Sequence, residues 1–345
     1  IKIKENKTTE FGLIPSDWQM KEFQDVMTGF FSGATPYRGR PEYYKGQINW
    51  ITSGELNYNI ITDTIEKITE EAVRNTNLKI LPKGTFLFAI TGLEAEGTRG
   101  SCALTGIDAT TNQSCMALFP FESLDVKYLY HYYVWKGKML ALRYCQGTKQ
   151  QSYTGKIARK LPIILPPTKS EQTAIATALS DTDALIENLE KLIAKKRNIK
   201  QGVMQELLTG RKRLAGFNGE WMKIKLGDIC DIRKGQLITE KTAAGGEFPV
   251  IAGGINPSYF HNRPNRGKNT ITISASGANA GYVSFHRNPI FASDCSTIEE
   301  KGTFNIVYIF FLLQLFQKKI FKLQTGGAQP HVYPEHLKPL ELVFP

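Results

Sequence analysis

The sequence predicts an α/β (α+β) protein made of two similar domains separated by a long coiled-coil-forming helix. Three observations carry that expectation. Short segments recur in the same order in the two halves of the chain. A stretch between the halves, 170–209, has no proline and one glycine, and basic charge gathers where the first half gives way to it.

The openings of the two halves are DWQMKEFQDV and EWMKIKLGDI, which set Trp18 over Trp221, Phe23 over Leu226, Asp25 over Asp228 and Val26 over Ile229, all 203 apart. TFLFAITG (85–92) lies over TITISASG (270–277) at 185, and TNQSCMAL (111–118) over ASDCSTIE (292–299) at 181. The closings, QGTKQQSYTGKIARKLPIILPP (146–167) and TGGAQPHVYPEHLKPLELVFP (325–345), align without gaps at 179 from Gly147 over Gly326 to Pro166 over Pro345. They match Gln150 with Gln329, Leu161 with Leu340 and Ile163 with Leu342. Chance likeness of strand patterns explains one such match but not four in order. The shrinking offset places longer loops in the first copy, and each copy has a common domain size. Boundaries are expected at 1–167, 168–213 and 214–345.

Residues 170–209 should form one helix. PPTKSEQ supplies its start, with Thr168 or Ser170 as cap, and Gly210 its stop. Leu185, Leu189, Leu192, Lys196, Ile199 and Val203 alternate steps of 4 and 3, a coiled-coil seam interrupted by one lysine. Such a seam calls for a partner helix. A helix of this length spans about 60 Å, too long for one small domain, and charge on its other faces argues against a core helix. The apolar segments 126–144 and 305–321 belong inside domains one and two instead.

With 41% hydrophobic residues, 11% aromatics and 345 residues, the chain can bury two cores. No run reaches the roughly 18 apolar residues of a membrane span, and IKIKENKTTE lacks a signal-peptide core, so a cytoplasmic location is expected. Because the chain opens on Ile1, its natural start is expected upstream. Five cysteines without a CxxC pair read as reduced thiols rather than a zinc site. The net charge of +11 suits a polyanion. Residues 143–160 carry Arg143, Lys149, Lys156, Arg159 and Lys160 with no acid, and 191–213 carry eight basic residues against Glu206. A solvated surface would account for either run alone. Two domains on a rigid spacer, with this charge, suit an extended partner such as DNA, whose turn of about 34 Å lies within the helix's reach.

No catalytic or metal site is expected. The chain has no phosphate-cradling GxxxxGK loop, no GxGxxG, HExxH or GxSxG. ILPPT (164–168) has Leu165 where an adenine methyltransferase needs Asp or Asn, and PFESLDVK (120–127) has Glu122, Asp125 and Lys127 without a nuclease's carboxylate spacing. His331 and His336 read as surface histidines. What remains are polar, glycine-containing loops at matching places. TGLEAEGTRGS (91–101) offers Thr91, Gly92 and Arg99, and SGANAGYVS (276–284) offers Ser276, Gly277 and Asn279. TTNQS (110–114) adds Asn112 and Gln113, ASDCS (292–296) adds Asp294, and the closings add Lys149, Gln150, Gln329 and His331. Such side chains hydrogen-bond base edges, and glycines admit a phosphate close to the backbone. Turn chemistry explains each loop singly. Their duplication favours DNA recognition.

The run EQTAIATALSDTDALIENLEKLIAKKRNIKQGVMQELLTGRKRL resembles the central conserved region of specificity (S) subunits of type I restriction-modification systems. IPSDWQMKEFQDV and GEWMKIKLGDI resemble the openings of that family's two target recognition domains, and the segments at 146 and 325 their closings. The resemblance implies that each domain reads one half of a bipartite double-stranded DNA target while the helix sets the spacing. It also implies methyltransferase (M) and restriction/translocase (R) subunits as partners, which carry the S-adenosylmethionine, ATP and Mg and supply all catalysis. Recognition domains of the family vary, so the target bases do not transfer. In the family a second helical region follows the second domain and packs antiparallel on the first. At the offset of 179 it would occupy about 349–388, past Pro345, so the cover for the seam is expected from residues beyond Pro345, from a second copy by self-association through the spacer helix, or from a methyltransferase subunit. Two other readings compete: a methyltransferase or nuclease with degenerate motifs, and a coiled-coil assembly scaffold.

Overall fold

The computed structural model describes residues 5–302 and 304–345. By contact the protein divides into Ile1–Asn188 and Leu189–Pro345. That division falls inside the helix Lys169–Leu207, so the sequence boundaries at 167 and 213 lie on either side of it.

In the first unit the central strand is Phe86–Ala89, all four residues buried, the apolar run of a strand covered on both faces. Its sheet runs in the order Met27–Ser32, Cys115–Pro120, Phe86–Ala89, Cys102–Thr105, Asn59–Ile61, antiparallel except for the last pair. A second sheet holds Ile48–Ile51 between Thr110–Thr111, parallel, and Glu66–Ile68, antiparallel. The helix Val126–Tyr144 covers the first sheet, with Tyr133 5.6 Å from the ring of Phe86 and 5.2 Å from that of Phe88. Asp125 starts this helix, its carboxylate accepting the N–H groups of Lys127 and Tyr128. That is the work of one residue of the nuclease-like PFESLDVK segment.

The second unit repeats this plan. Its sheet runs Cys230–Lys234, Cys295–Glu300, Thr270–Ser274, Val283–His286, and its smaller sheet sets Phe248–Ile251 between Tyr259–His261 and Phe291–Ala292. The parallel pair recurs, Thr111 beside Ile51 and Ala292 beside Ile251. Asn305 caps the covering helix as Asp125 does. The apolar segment 305–321 lies inside this unit, as the sequence indicates, and forms two helices, Ile306–Leu315 and Gln317–Phe321, parted at Phe316. Among the described residues the parallel edge strand Asn59–Ile61 and the helix Glu70–Asn75 have no counterpart, and they lie where the offset falls from 203 to 185.

The long helix begins as the sequence indicates. Thr168, rather than Ser170, is the cap, its hydroxyl accepting the N–H of Glu171 at 3.2 Å. The helix ends at Leu207, two residues early, and Gly210 follows at φ +71°, where a Cβ would press on the Trp221 ring at 2.9 Å. Its seam is open. Leu185 is 58% exposed, and Leu189, Leu192, Ile199 and Val203 are about half exposed, with Leu179, Ile186 and Ile193 beside them. Among the described residues no helix is long and apolar enough to cross a membrane.

Candidate nucleic-acid interface

In the first unit the chain leaves Phe86–Ala89 and enters the loop 91–101. Backbone connections fasten it to the closing segment: Tyr153 N–H donates to Ile90 O at 2.8 Å, and Thr91 bridges Ser152. Leu93 N–H reaches Gln151 O at 3.0 Å, and the Glu94 carboxylate accepts Gln151 N–H at 2.8 Å. Gln146 and Ser152 exchange two backbone bonds of 2.9 Å, closing a tight loop around Gly147. That glycine is required, because at φ +101° a Cβ would meet Gln150 O at 2.3 Å. The loop holds Lys149 and Gln150 exposed.

The third piece, 110–114, lies against the same corner through Ile90 N–H to Ser114 O at 2.9 Å. Asn112 folds onto its own loop, its Oδ1 accepting Ser114 N–H at 3.1 Å, while the exposed Gln113 accepts a hydrogen bond from Thr35. Thr91, Gly92, Arg99, Asn112, Gln113, Lys149 and Gln150 thus sit on three loops that meet at Ile90. Arg99 supports its loop, with Nε donating to Leu93 O at 2.8 Å and Nη2 to Glu94 O at 2.7 Å.

The second unit builds the same corner with other side chains. Val332 N–H donates to Ala275 O at 2.9 Å and Ser276 bridges His331, equivalents of the Tyr153–Ile90 and Thr91–Ser152 connections. Thr325 and His331 close the loop around Gly326, which at φ +95° would set a Cβ 2.7 Å from Gln329 O. Gly277 N–H donates to Pro330 O at 3.1 Å, and the Ser276 hydroxyl donates to the Asp294 carboxylate. Asn279 O accepts Tyr282 N–H at 2.9 Å, tightening the turn, and Gln329 is exposed. The histidines are half-buried rather than free surface groups: the His331 ring stacks on Tyr333 at 5.6 Å, and His336 Nδ1 accepts Tyr333 N–H.

A further loop at each corner escaped the sequence reading. Ala34 N–H donates to Thr111 O at 3.0 Å and Gln236 N–H to Ala292 O at 2.9 Å, which brings the segments after Met27–Ser32 and Cys230–Lys234 to the same place. Their signal was Gly33 and Gly235, where a Cβ would fall within 2.0 Å of a backbone oxygen.

The basic run 143–160 is partly neutralised. Arg143, Lys156 and Lys160 line a cleft of about 960 Å³ together with Glu10, Glu22 and Asp25, and Arg143 pairs with Glu10. On the 91–101 loop, Lys138 beside Glu96 holds that carboxyl below its usual range. Each corner therefore offers amides, hydroxyls and backbone groups for hydrogen bonding. Among the described residues no group of three His, Cys, Asp or Glu is placed to hold a metal.

The family model described as the type I restriction modification DNA specificity domain matches residues 15–196 and again 218–345, one match to each copy of the fold. The chain belongs to this family. It is 34% identical over 194 residues to the type I restriction enzyme MjaIX specificity subunit of Methanocaldococcus jannaschii, covering 54% of this chain and 43% of that protein. To the EcoR124I/EcoR124II specificity subunit of Escherichia coli it is 26% identical over 176 residues, 50% of this chain and 43% of that one. The chain thus spans under half the length of either relative. In fold it is similar to the crystal structure of a type I restriction-modification system S subunit from M. genitalium, with a TM-score of 0.68 at 20% identity over 95% of this chain and 84% of that chain. A specificity domain occurs twice here, and each copy carries its own bonded corner of loops.

Proposed function

We propose that this chain is the DNA-recognition subunit of a type I restriction-modification complex, each unit reading one half of a bipartite double-stranded target. The observation that carries this reading is the duplicated corner. The same backbone connections gather the same loops in both units, while the side chains they present differ, as two half-sites of different sequence require. Family membership supports it. The chain itself is non-catalytic and works in the cytoplasm with M and R subunits, which bring S-adenosylmethionine, ATP and Mg. The exposed stripe of the long helix takes another helix, from a partner or a second copy.

Selection of DNA from a random library by the chain together with its methyltransferase tests this directly. The expected product is two short motifs at fixed separation, with affinity that falls steeply with salt. A single contiguous motif, or binding indifferent to sequence, overturns the reading. S-adenosylmethionine bound by the isolated chain would favour the methyltransferase alternative.

A further inference from the structure

At each corner one turn carries a polar side chain held by a hydroxyl from another segment, and the two turns are opposite in hydrogen-bonding character. In the first unit the turn is Asn112, Gln113 and Ser114, between Thr111 and Cys115. In the second it is Ser293 and Asp294, between Ala292 and Cys295. Both turns enter and leave alike. Asn112 N–H meets Ile51 O at 2.9 Å and Ser293 N–H meets Ile251 O at 2.8 Å, while Ser114 O accepts Ile90 N–H at 2.9 Å and Asp294 O accepts Ala275 N–H at 3.2 Å. Gln113 is the added residue.

The exposed Gln113 accepts the Thr35 hydroxyl at Oε1, which leaves its Nε2 donor free. Asp294, half-buried, accepts the Ser276 hydroxyl at Oδ2, and no described residue donates to its Oδ1. A glycine borders that pair. A Cβ on Gly253 would stand 3.4 Å from Ser276 Oγ, 3.5 Å from Asp294 Oδ2 and 2.9 Å from Ser276 O, and Ser274 Oγ holds the Gly253 carbonyl at 2.8 Å. The approach to the carboxylate is thus kept clear of side chains.

A carboxylate turned toward DNA is repelled by phosphates and gains only from a hydrogen-bond donor. On a duplex the donors are the amino groups of cytosine and adenine in the major groove and of guanine in the minor groove. Adenine sets its N7 acceptor beside its amino group, against the carboxylate's lone pairs, whereas cytosine has a C–H there. We propose that Asp294 fixes one position of the second unit's half-site as cytosine by accepting its N4 amino group at Oδ1, and that Ser276 is the positioning residue that aims the carboxylate. The proposal rests on the reading of this chain as a DNA-recognition subunit. The first unit, whose turn offers an amide donor, carries no such constraint.

The test is selection from a random duplex library by the chain with its methyltransferase, then binding to the selected duplex with single base pairs changed. The wild-type chain should prefer cytosine at one position of one half-site by about 5- to 150-fold. Asp294→Asn should move that preference to adenine, whose N6 and N7 an amide matches, and leave all other positions as they were. Ser276→Ala should weaken the cytosine preference at that position alone and Ser276→Thr restore it, with the strand Thr270–Ser274 as protected from hydrogen exchange as before. Inosine in place of the paired guanine removes only the minor-groove amino group and should leave affinity unchanged; a loss there overturns the proposal. A bipartite motif that Asp294→Asn leaves unchanged, or weakens uniformly, overturns the proposal and spares DNA recognition. A wild-type selection without a bipartite motif overturns both.

Discussion

In each unit the opening strand pairs with the closing one in the same register, Lys21 opposite Ile163 and Ile224 opposite Leu342. The next bond is also shared: Phe23 N–H meets Leu161 O and Leu226 N–H meets Leu340 O, both at 2.9 Å. The loops tell the opposite story. An arginine clasping two carbonyls and a glutamate clasping a backbone N–H hold one corner, while a serine–aspartate pair holds the other. Backbone hydrogen bonds accept many side chains, so the frame survives sequence divergence. The loops depend on particular side chains and diverge with whatever they contact.

The cores offer the hardest test of a shared frame. Phe88, fully buried among Phe23, Phe86, Tyr133 and Tyr153, corresponds to Ile273 in an aliphatic core. Phe88→Ala should cost about 3–5 kcal/mol and Ile273→Ala about 2–5, each read by hydrogen exchange on the strands of its own unit. If either change leaves its sheet as protected as before, the two cores are not doing equivalent work. Gly147→Ala and Gly326→Ala probe the common loop, and each should cost about 1–3 kcal/mol from strain at positive φ. Denaturant midpoints check the cost, and DNA selection should show one half-site weakened in each variant. A large effect at Gly147 with none at Gly326 would break the equivalence of the corners.

Arg99→Ala tests the divergence itself. Losing bonds to two carbonyls should cost about 1–2 kcal/mol locally and relax one half-site only, measured by binding to DNA variants in that half. Uniform weakening across all sequences would make Arg99 a phosphate contact.

Acid comes next. Burial pushes His131 and His286 below the usual histidine range, the first beside Ser180 at 2.9 Å and the second beside Thr272 at 2.8 Å. Asp183, facing His131, opposes the effect only in part. The fold favours the neutral ring, so its stabilisation is complete above the unfolded value of about 6.5 and is lost as pH falls through the lower folded value. His131→Gln should flatten the acid limb of the first unit's stability profile and His286→Gln that of the second. An unchanged limb in either variant would assign the acid loss to other groups.

Thiol labelling should show the smallest difference, one that leaves stability untouched. Burial pushes Cys230 and Cys295 up to about 12 and Cys102 and Cys115 higher still, while Cys145 is only half-buried. Only the first unit should react promptly with a thiol reagent, and loss of that reaction in Cys145→Ser checks it.

The sequence alone determined the repeat, the order of the elements and the long helix. Each is written in patterns of short range: apolar runs such as Phe86–Ala89, the cap at Thr168, the unbroken helical stretch and the glycines at 147, 210 and 326. It also named most of the loops that meet at each corner, because duplication marks them. Only the tertiary structure decided what those residues do. Arg99 spends two donors on its own loop and Asp125 caps a helix, while Ala34 and Gln236 bring in segments that no motif marked. The break at Phe316 and the hold of Ser276 on Asp294 were equally illegible. A side chain's partner is fixed by packing between segments far apart in the chain, and that distance leaves no trace in local pattern.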